Sequence, residues 1–375
     1  MKRINIFDTT LRDGQQSPGS GFDLEKKIEV GRQLHRLNVD VIEAGFPFAS
    51  QADFDSVRIL STELKDISIC AFARANRGDI EVAAEALNGC SNGRIQIVTP
   101  VSDLHLETRL GKDRKQGLEL IKESLKIAKD LAAEVSWIGE DSSRADPGYL
   151  LDAFNIAVEH GAKFVTYADT VGYSLPEEVS ERIRSIVKSI STKAQVGIHC
   201  HNDLGLATAN TLSAISAGAQ EVQCTITGVG ERAGNAALEE IVMGILVRKN
   251  NLDAFTGIDS RLLTNTCDMV SKFSNSPIAK NKPIVGANAF AHCSGMHQHG
   301  VLANSKNYEI MNPADVGIKG NSIVIGKHSG RHGAKHILKE AGVSITEDKL
   351  DVLMEKIKLL EDGESLSSKG LVELL

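Results

Sequence analysis

The stretch Val196-Gly-Ile-His199-Cys-His201-Asn-Asp203 decides how the chain is read. Its apolar, β-branched opening predicts a strand. Side chains in a strand alternate between faces, so His199 and His201 point the same way and Cys200 the other. Two imidazoles on one face, at the C-terminal end of a strand, are placed to hold one metal ion. A His-X-His pair by itself is as often two hydrogen-bonded structural histidines, so the decision rests on what surrounds it.

Outward from this strand, short apolar runs alternate with helix-periodic ones. The strand runs are Ile4–Phe7, Val41–Ala44, Ser68–Phe72, Arg94–Val98, Val135–Ile138, Phe164–Tyr167, Gln195–His201 and Glu221–Thr227. Between them lie amphipathic stretches such as Leu118, Ile121, Leu125 and Ala128, and another that opens with Asp23 as N-cap before Leu24, Ile28 and Leu34. This alternation predicts an α/β chain folded as a (β/α)8 TIM barrel over residues 1–252. A doubly wound nucleotide-binding sheet would want a glycine-rich turn after the first strand, and Asp8-Thr-Thr-Leu-Arg-Asp-Gly14 is not one. Beyond 252 the alternation stops. Residues 253–325, rich in Gly and Asn and carrying Pro277, Pro283 and Pro313, read as a linker and a small helical subdomain; residues 326–375 read as a second.

Bulk properties narrow the function. The net charge of −7 comes without a basic run, which argues against nucleic acid as partner. No apolar stretch approaches the roughly 20 residues of a membrane span, and the opening MKRINIFDTT reads as a strand rather than a signal peptide. The six cysteines, at 70, 90, 200, 224, 267 and 293, have no CxxC spacing and suit a reduced cytoplasm.

Chemistry in such a barrel sits where strands end. Arg12 and Asp13 follow the first strand, Glu140 the fifth and Thr170 the sixth. His199 and His201 end the seventh, and Gly228-Val-Gly-Glu-Arg-Ala-Gly-Asn235 follows the eighth. Singly, each has an ordinary structural explanation: a turn cap, a surface ion pair, a tight turn. Jointly, a carboxylate, two imidazoles and an amide oxygen converge on one rim, a set able to hold a divalent cation and leave positions open for substrate. The mixed N/O donors do not choose among Mg, Mn and Zn.

Three motifs carry a resemblance: Asp8-Thr-Thr-Leu-Arg12-Asp13-Gly, His199-Cys-His201-Asn-Asp-Leu-Gly and Gly230-Glu-Arg-Ala-Gly-Asn235-Ala-Ala-Leu-Glu-Glu. Together they resemble, over essentially the whole chain, the acetyl-CoA-dependent Claisen-condensing barrels, namely the 2-isopropylmalate, homocitrate and citramalate synthases. The resemblance implies Asp13, His199, His201 and Asn235 as metal ligands, acetyl-CoA as co-substrate and a 2-oxo acid as acceptor. It further implies Arg12 as the stabiliser of charge on the ketone oxygen, Thr170 as a donor to the substrate carboxylate, and Glu140 or His297 as base with Tyr308 beside them. Gln96, Ile138 and Thr166 stand at its 2-oxo acid pocket positions. It also implies a homodimer in which a subdomain crosses to the partner barrel.

Within that family, Ile42-Glu-Ala-Gly-Phe-Pro, Met296-His-Gln and Tyr308-Glu-Ile-Met-Asn-Pro are nearest the 2-isopropylmalate synthases. The expected acceptor is therefore 3-methyl-2-oxobutanoate. Thr99-Pro-Val-Ser-Asp and Glu140-Asp-Ser-Ser-Arg-Ala-Asp look more like homocitrate synthases. That alternative needs a cation for the distal carboxylate of 2-oxoglutarate, with Arg74 and Arg144 as the residues to supply it. Gln15 replaces the family's Glu, and the glycine-rich loop lacks the Cys of the related 3-hydroxy-3-methylglutaryl-CoA lyases. The sequence ends before a leucine-sensing domain would fit, so insensitivity to leucine is expected.

Overall fold

The computed structural model describes residues 1–19, 21–190, 193–320, 322–361 and 364–375. Eight parallel strands close into a barrel: β1 Asn5–Asp8, β2 Val41–Gly45, β3 Ser68–Arg74, β4 Gly93–Pro100, β5 Glu134–Glu140, β6 Phe164–Asp169, β7 Gln195–Cys200 and β8 Glu221–Cys224. β1 pairs with β8 from Asn5↔Glu221 to Asp8↔Cys224, which seals the ring. The (β/α)8 barrel expected from the alternation is the fold found.

The intervening helices form for local reasons. In α1 (Leu24–Leu37) the Asp23 side chain accepts from the Lys26 amide, and the helix stops at Asn38 in the left-handed region at φ 66°. Arg114–Lys129 begins with a reciprocal Asp113/Gln116 capping box and buries Ile121, Leu125 and Ala128 against the strands.

The seventh and eighth strands end earlier than the sequence implies, and the site depends on this. After Cys224 the chain turns, with Thr227 held at φ 60°. It then folds back so that Asn235 bridges His201 and the Ala236 amide donates to the Cys200 carbonyl. The loop after β8 thereby lies against the end of β7.

The barrel interior is polar where aliphatic side chains usually dominate. Low in the barrel, Arg94 Nη1 lies 2.7 Å from Glu221 Oε2, both buried, and the guanidinium carbon is 3.6 Å from the Phe164 ring centroid. One layer nearer the C-terminal rim come Glu43, Gln96, Thr166 and Gln223, all fully buried.

Two compact units divide the chain, Met1–Pro277 and Ile278–Leu375. The first runs beyond the 252 boundary read from sequence. Ala254–Phe255 pairs with Lys2–Arg3. α2 (Leu263–Ser274) buries Leu263, Cys267 and Val270, and its Thr266 Oγ1 accepts from Gln33 of α1 at 2.9 Å. The second unit is one body where two subdomains were expected. The 325/326 boundary falls inside the strand Ile325–Gly326, which pairs with Ser365–Leu366. Gln298 Nε2 spans it by donating to the Val324 carbonyl at 2.9 Å and to Ser329 Oγ at 3.1 Å. The core of this unit is Ile325, Ala334, Leu338, Leu350, Leu353, Met354, Ile357 and Leu371. No helix among the described residues is long and apolar enough to cross a membrane.

Arg94→Met should destabilise the barrel by about 3–5 kcal/mol, because it leaves the buried Glu221 carboxylate without its partner. Adding Glu221→Gln should recover much of the loss. Urea unfolding of the two variants checks this, and a single variant as stable as the parent would contradict it.

Candidate active site

The end of β7 and the turn after β1 bring three ligand-type side chains together. Asp13, His199 and His201 are all buried, and each offers one ligand atom within 4.8 Å of the others. His199 Nε2 and His201 Nε2 are 3.3 Å apart, and Asp13 Oδ2 lies 3.7 Å and 4.0 Å from them. Burial, reinforced by its neighbour, pushes His199 down to about 3, and burial lowers His201 as well. Both rings are therefore neutral at pH 7, with a nitrogen lone pair to give. Burial opposes ionisation of Asp13, but Arg12 and the two imidazoles outweigh it and hold the carboxyl well below its usual range.

Asn235 joins them by its amide. Its Nδ2 donates to Asp13 Oδ1 at 2.9 Å and to the Val229 carbonyl at 3.3 Å. Both partners only accept, which fixes the amide orientation and leaves Oδ1 buried without a hydrogen-bond partner. Neutral imidazoles, an ionised carboxylate and an unpartnered amide oxygen are a donor set that fits a divalent cation.

The glycines of the 228–234 loop have a steric reason. A Cβ on Gly230 would fall 2.1 Å from Asn235 Nδ2 and 3.1 Å from Asp13 Oδ1. Gly234, at φ +87°, passes so close to the Gly228 carbonyl that a Cβ would sit 2.0 Å from it. Position 230 must lack a side chain for Asn235 to reach Asp13, and position 234 must lack one for the loop to close on Gly228.

Arg12 lies beside this set. Its Nε donates to Glu43 Oε2 and its Nη1 to Asp13 Oδ2, both at 2.7 Å, and its guanidinium sits 4.6 Å from the Phe72 ring centroid. These side chains wall a cavity of about 360 Å³ at the C-terminal rim, lined also by Val98, Ile138, Ala168, Glu140 and Thr170. Thr170 Oγ1 accepts from the Asp141 amide at 2.8 Å, which leaves its hydroxyl hydrogen to donate. Glu140 is paired with Arg109.

Arg12, Asp13, Glu140, Thr170, His199 and His201 thus meet at one cavity, and Asn235 abuts it. Of the three pocket positions, only Ile138 lines the cavity. Gln96 and Thr166 lie one layer deeper, and Val98 and Ala168, two residues later on β4 and β6, take their place. Arg144 is not part of the lining; Asp141 binds its Nε and Nη2 at 2.8 Å each. Glu43 beneath Arg12, and Arg109 and Arg232 at the cavity, are not singled out by the sequence, while Arg74, which also lines it, enters only through the homocitrate alternative. Arg109 comes from a π-helical turn, Leu106–Leu110, that no periodicity marks.

His297 and Tyr308 belong to the second unit, where their rings stack with centroids 4.2 Å apart. Gly300 makes room for the stack, since a Cβ there would meet Tyr308 Cε2 at 2.4 Å.

A closed parallel barrel with this acidic-imidazole rim belongs to a known class: the chain is a member of the HMGL-like family, which it matches over residues 3–270. Residues 284–365 match the homocitrate synthase post-HMGL domain-like family. Among curated relatives, the 2-isopropylmalate synthase of Heliobacterium modesticaldum is 46% identical over 377 residues, covering 100% of this chain and 74% of that protein. Those of Aquifex aeolicus and Pyrococcus furiosus are 45% and 42% identical, covering 96% and 100% of this chain and 70% and 74% of theirs. The family resemblance read from the three motifs is therefore met. Solved HMG-CoA lyases of Brucella melitensis (TM-score 0.63, 17% identity, 74% of this chain and 100% of that one) and Pseudomonas aeruginosa (0.62, 19%, 72% and 93%) share the fold.

Gly230→Ala should displace Asn235 from Asp13 and weaken divalent-ion binding on the order of 10- to 100-fold, the usual cost of losing an outer partner of a metal ligand. Titration calorimetry with Mn²⁺ checks this; unchanged affinity in a folded variant would contradict it.

Proposed function

We propose that the protein condenses acetyl-CoA with 3-methyl-2-oxobutanoate and hydrolyses the thioester, releasing 2-isopropylmalate and CoA, the step that commits carbon to leucine in the cytoplasm. The carrying observation is the cavity itself. It is lined by Arg12, Asp13, His199 and His201 together with the apolar Val98, Ile138 and Ala168 of β4, β5 and β6. Relatives named 2-isopropylmalate synthase at 42–46% identity support the same reading.

Asp13, His199, His201 and the Asn235 amide oxygen are the residues that would hold a divalent cation, Mg, Mn or Zn, which would supply Lewis acidity to the ketone of a 2-oxo acid. The remaining work falls to the chain. Arg12 offers a fixed guanidinium to the charge that develops on the ketone oxygen. The Thr170 hydroxyl donates to the substrate carboxylate. A base, Glu140 or His297, takes a proton from the acetyl methyl group, and the resulting carbanion equivalent attacks the ketone carbon. Water then cleaves the thioester, and the CoA thiol leaves.

The acceptor's side chain follows from charge. Every guanidinium lining the cavity has a carboxylate partner: Arg12 has Asp13 and Glu43, Arg74 has Asp79, Arg109 has Glu140, and Arg232 has Asp203. Among the described residues, a distal carboxylate would have to compete with a carboxylate already paired to each guanidinium at the cavity wall. This favours the aliphatic acid over 2-oxoglutarate and hence over the homocitrate synthase reading.

His297 and Tyr308 complete the site, in this proposal, from the second unit of a partner chain in a homodimer. Their preformed stack, with Tyr308 41% and neighbouring Ile310 77% exposed, supports an apolar surface that meets another subunit.

In a thiol-release assay with acetyl-CoA, kcat/KM for 3-methyl-2-oxobutanoate should exceed that for 2-oxoglutarate by at least ~10-fold. A chelator should abolish turnover and a divalent ion restore it. Preference for 2-oxoglutarate, or full activity in metal-free protein, would overturn the reading. Separately, Glu140→Ala and His297→Ala should each be inactive alone. Mixed after subunit exchange they should regain part of the activity, because one site per mixed dimer keeps both residues. Failure to complement would show that each chain completes its own site.

A further inference from the structure

The layer beneath the cavity is built from the four even-numbered strands, Glu43 on β2, Gln96 on β4, Thr166 on β6 and Gln223 on β8. A barrel layer of this kind ordinarily carries branched aliphatics. Here it is polar, fully buried and internally hydrogen-bonded. Gln96 Nε2 donates to Glu43 Oε1 at 2.8 Å. Gln223 Nε2 donates to Gln96 Oε1 at 2.6 Å and lies 3.4 Å from Thr166 Oγ1. Glu43 Oε2 is left to receive Arg12 Nε at 2.7 Å.

The directions of these bonds are forced. An ionised carboxylate only accepts, so Gln96 must turn its amide nitrogen toward Glu43. That turns its oxygen toward Gln223, whose nitrogen must then face it. Each amide orientation is fixed by the one before it, starting from the carboxylate that holds Arg12. Arg12 Nε and Nη1 are committed to Glu43 and Asp13. Nη2 is then the guanidinium nitrogen without a protein partner among the described residues, free to meet substrate. Its aim depends on Glu43 staying monodentate, and Glu43 stays so because Gln96 occupies the other oxygen.

We propose that Gln96 and Gln223 are positioning residues for the reaction: through Glu43 they hold the Arg12 guanidinium so that its free nitrogen faces the reacting ketone oxygen. This rests on Arg12 acting on that oxygen, as argued above. Neither glutamine touches substrate. Loss of the Gln96 donor lets Glu43 swing to take Arg12 by both oxygens and draws the guanidinium off line.

Gln96→Met keeps the volume and removes the donor. Its kcat on 3-methyl-2-oxobutanoate should fall on the order of 10- to 100-fold, the scale of a small misplacement of a reacting group. KM for the 2-oxo acid and Mn²⁺ affinity should stay within about twofold of the parent in the same series. Gln96→His, a neutral donor of similar reach, should restore kcat to within about threefold. In an Arg12→Ala background, Gln96→Met should cost almost nothing further, since both act on one interaction. If Gln96→Met does not fold by circular dichroism, Gln96→Leu, which likewise removes the donor, carries the same test. Full kcat in folded Gln96→Met, or an undiminished loss in the Arg12→Ala background, overturns the proposal. A parent enzyme that releases no thiol with any 2-oxo acid would instead overturn the reading of the function.

Discussion

A single buried guanidinium organises this molecule. Arg12 is held between Glu43 and Asp13, two buried carboxylates. Burial disfavours ionisation of Glu43 and raises its pKa, and Arg12 works against that rise. The same guanidinium keeps Asp13 ionised and so able to serve a cation. Removing Arg12 would leave two buried carboxylates facing each other, and the donor set at the rim would lose its anionic member. The surroundings conform to this constraint. A register shift in β2 between Glu43 and Gly45 re-aims the strand at the residue that meets Arg12. The Phe72 ring lies under the guanidinium.

Around that centre the cavity lining combines two chemistries. Neutral imidazoles, an ionised carboxylate and an arginine line it, with the Asn235 amide abutting them. The apolar Val98, Ile138 and Ala168 line it as well. The glycine-rich loop belongs with the polar set. The missing side chain at Gly230 lets Asn235 pack on Asp13, a sufficient explanation for a motif that by itself suggests only a tight turn or a ligand's approach.

Much of this was legible in the sequence because it depends on period and on strand ends. All eight barrel strands fall where apolar β-type runs were read, and Asp13, Glu140, Thr170, His199 and His201 meet at the C-terminal rim because each lies at or just after the end of a strand. Depth was not legible. A period of two says which face Gln96 and Thr166 present, but strand tilt and stagger decide how far down the barrel they sit. Ile138 pairs with Thr166, yet the cavity takes Ile138 and Ala168. Glu43 gave no signal because its partner lies 31 residues away, and Arg109 gave none because it sits on an irregular turn. The helix at Leu263–Ser274 lies in the stretch read as linker and helical subdomain, but its buried Leu263, Cys267 and Val270 belong to the barrel unit, an assignment that helical spacing alone does not give.

The central claim is that Asp13, His199 and His201 hold one divalent ion beside Arg12. Electron spin-echo envelope modulation of the Mn²⁺-loaded protein tests it most directly, because it reads imidazole nitrogens bound to the metal without reference to turnover. The account predicts couplings from two histidine nitrogens, reduced to one in His201→Ala and absent when His199 is replaced as well. A Mn²⁺ signal with no histidine nitrogen coupling in the parent protein would contradict it.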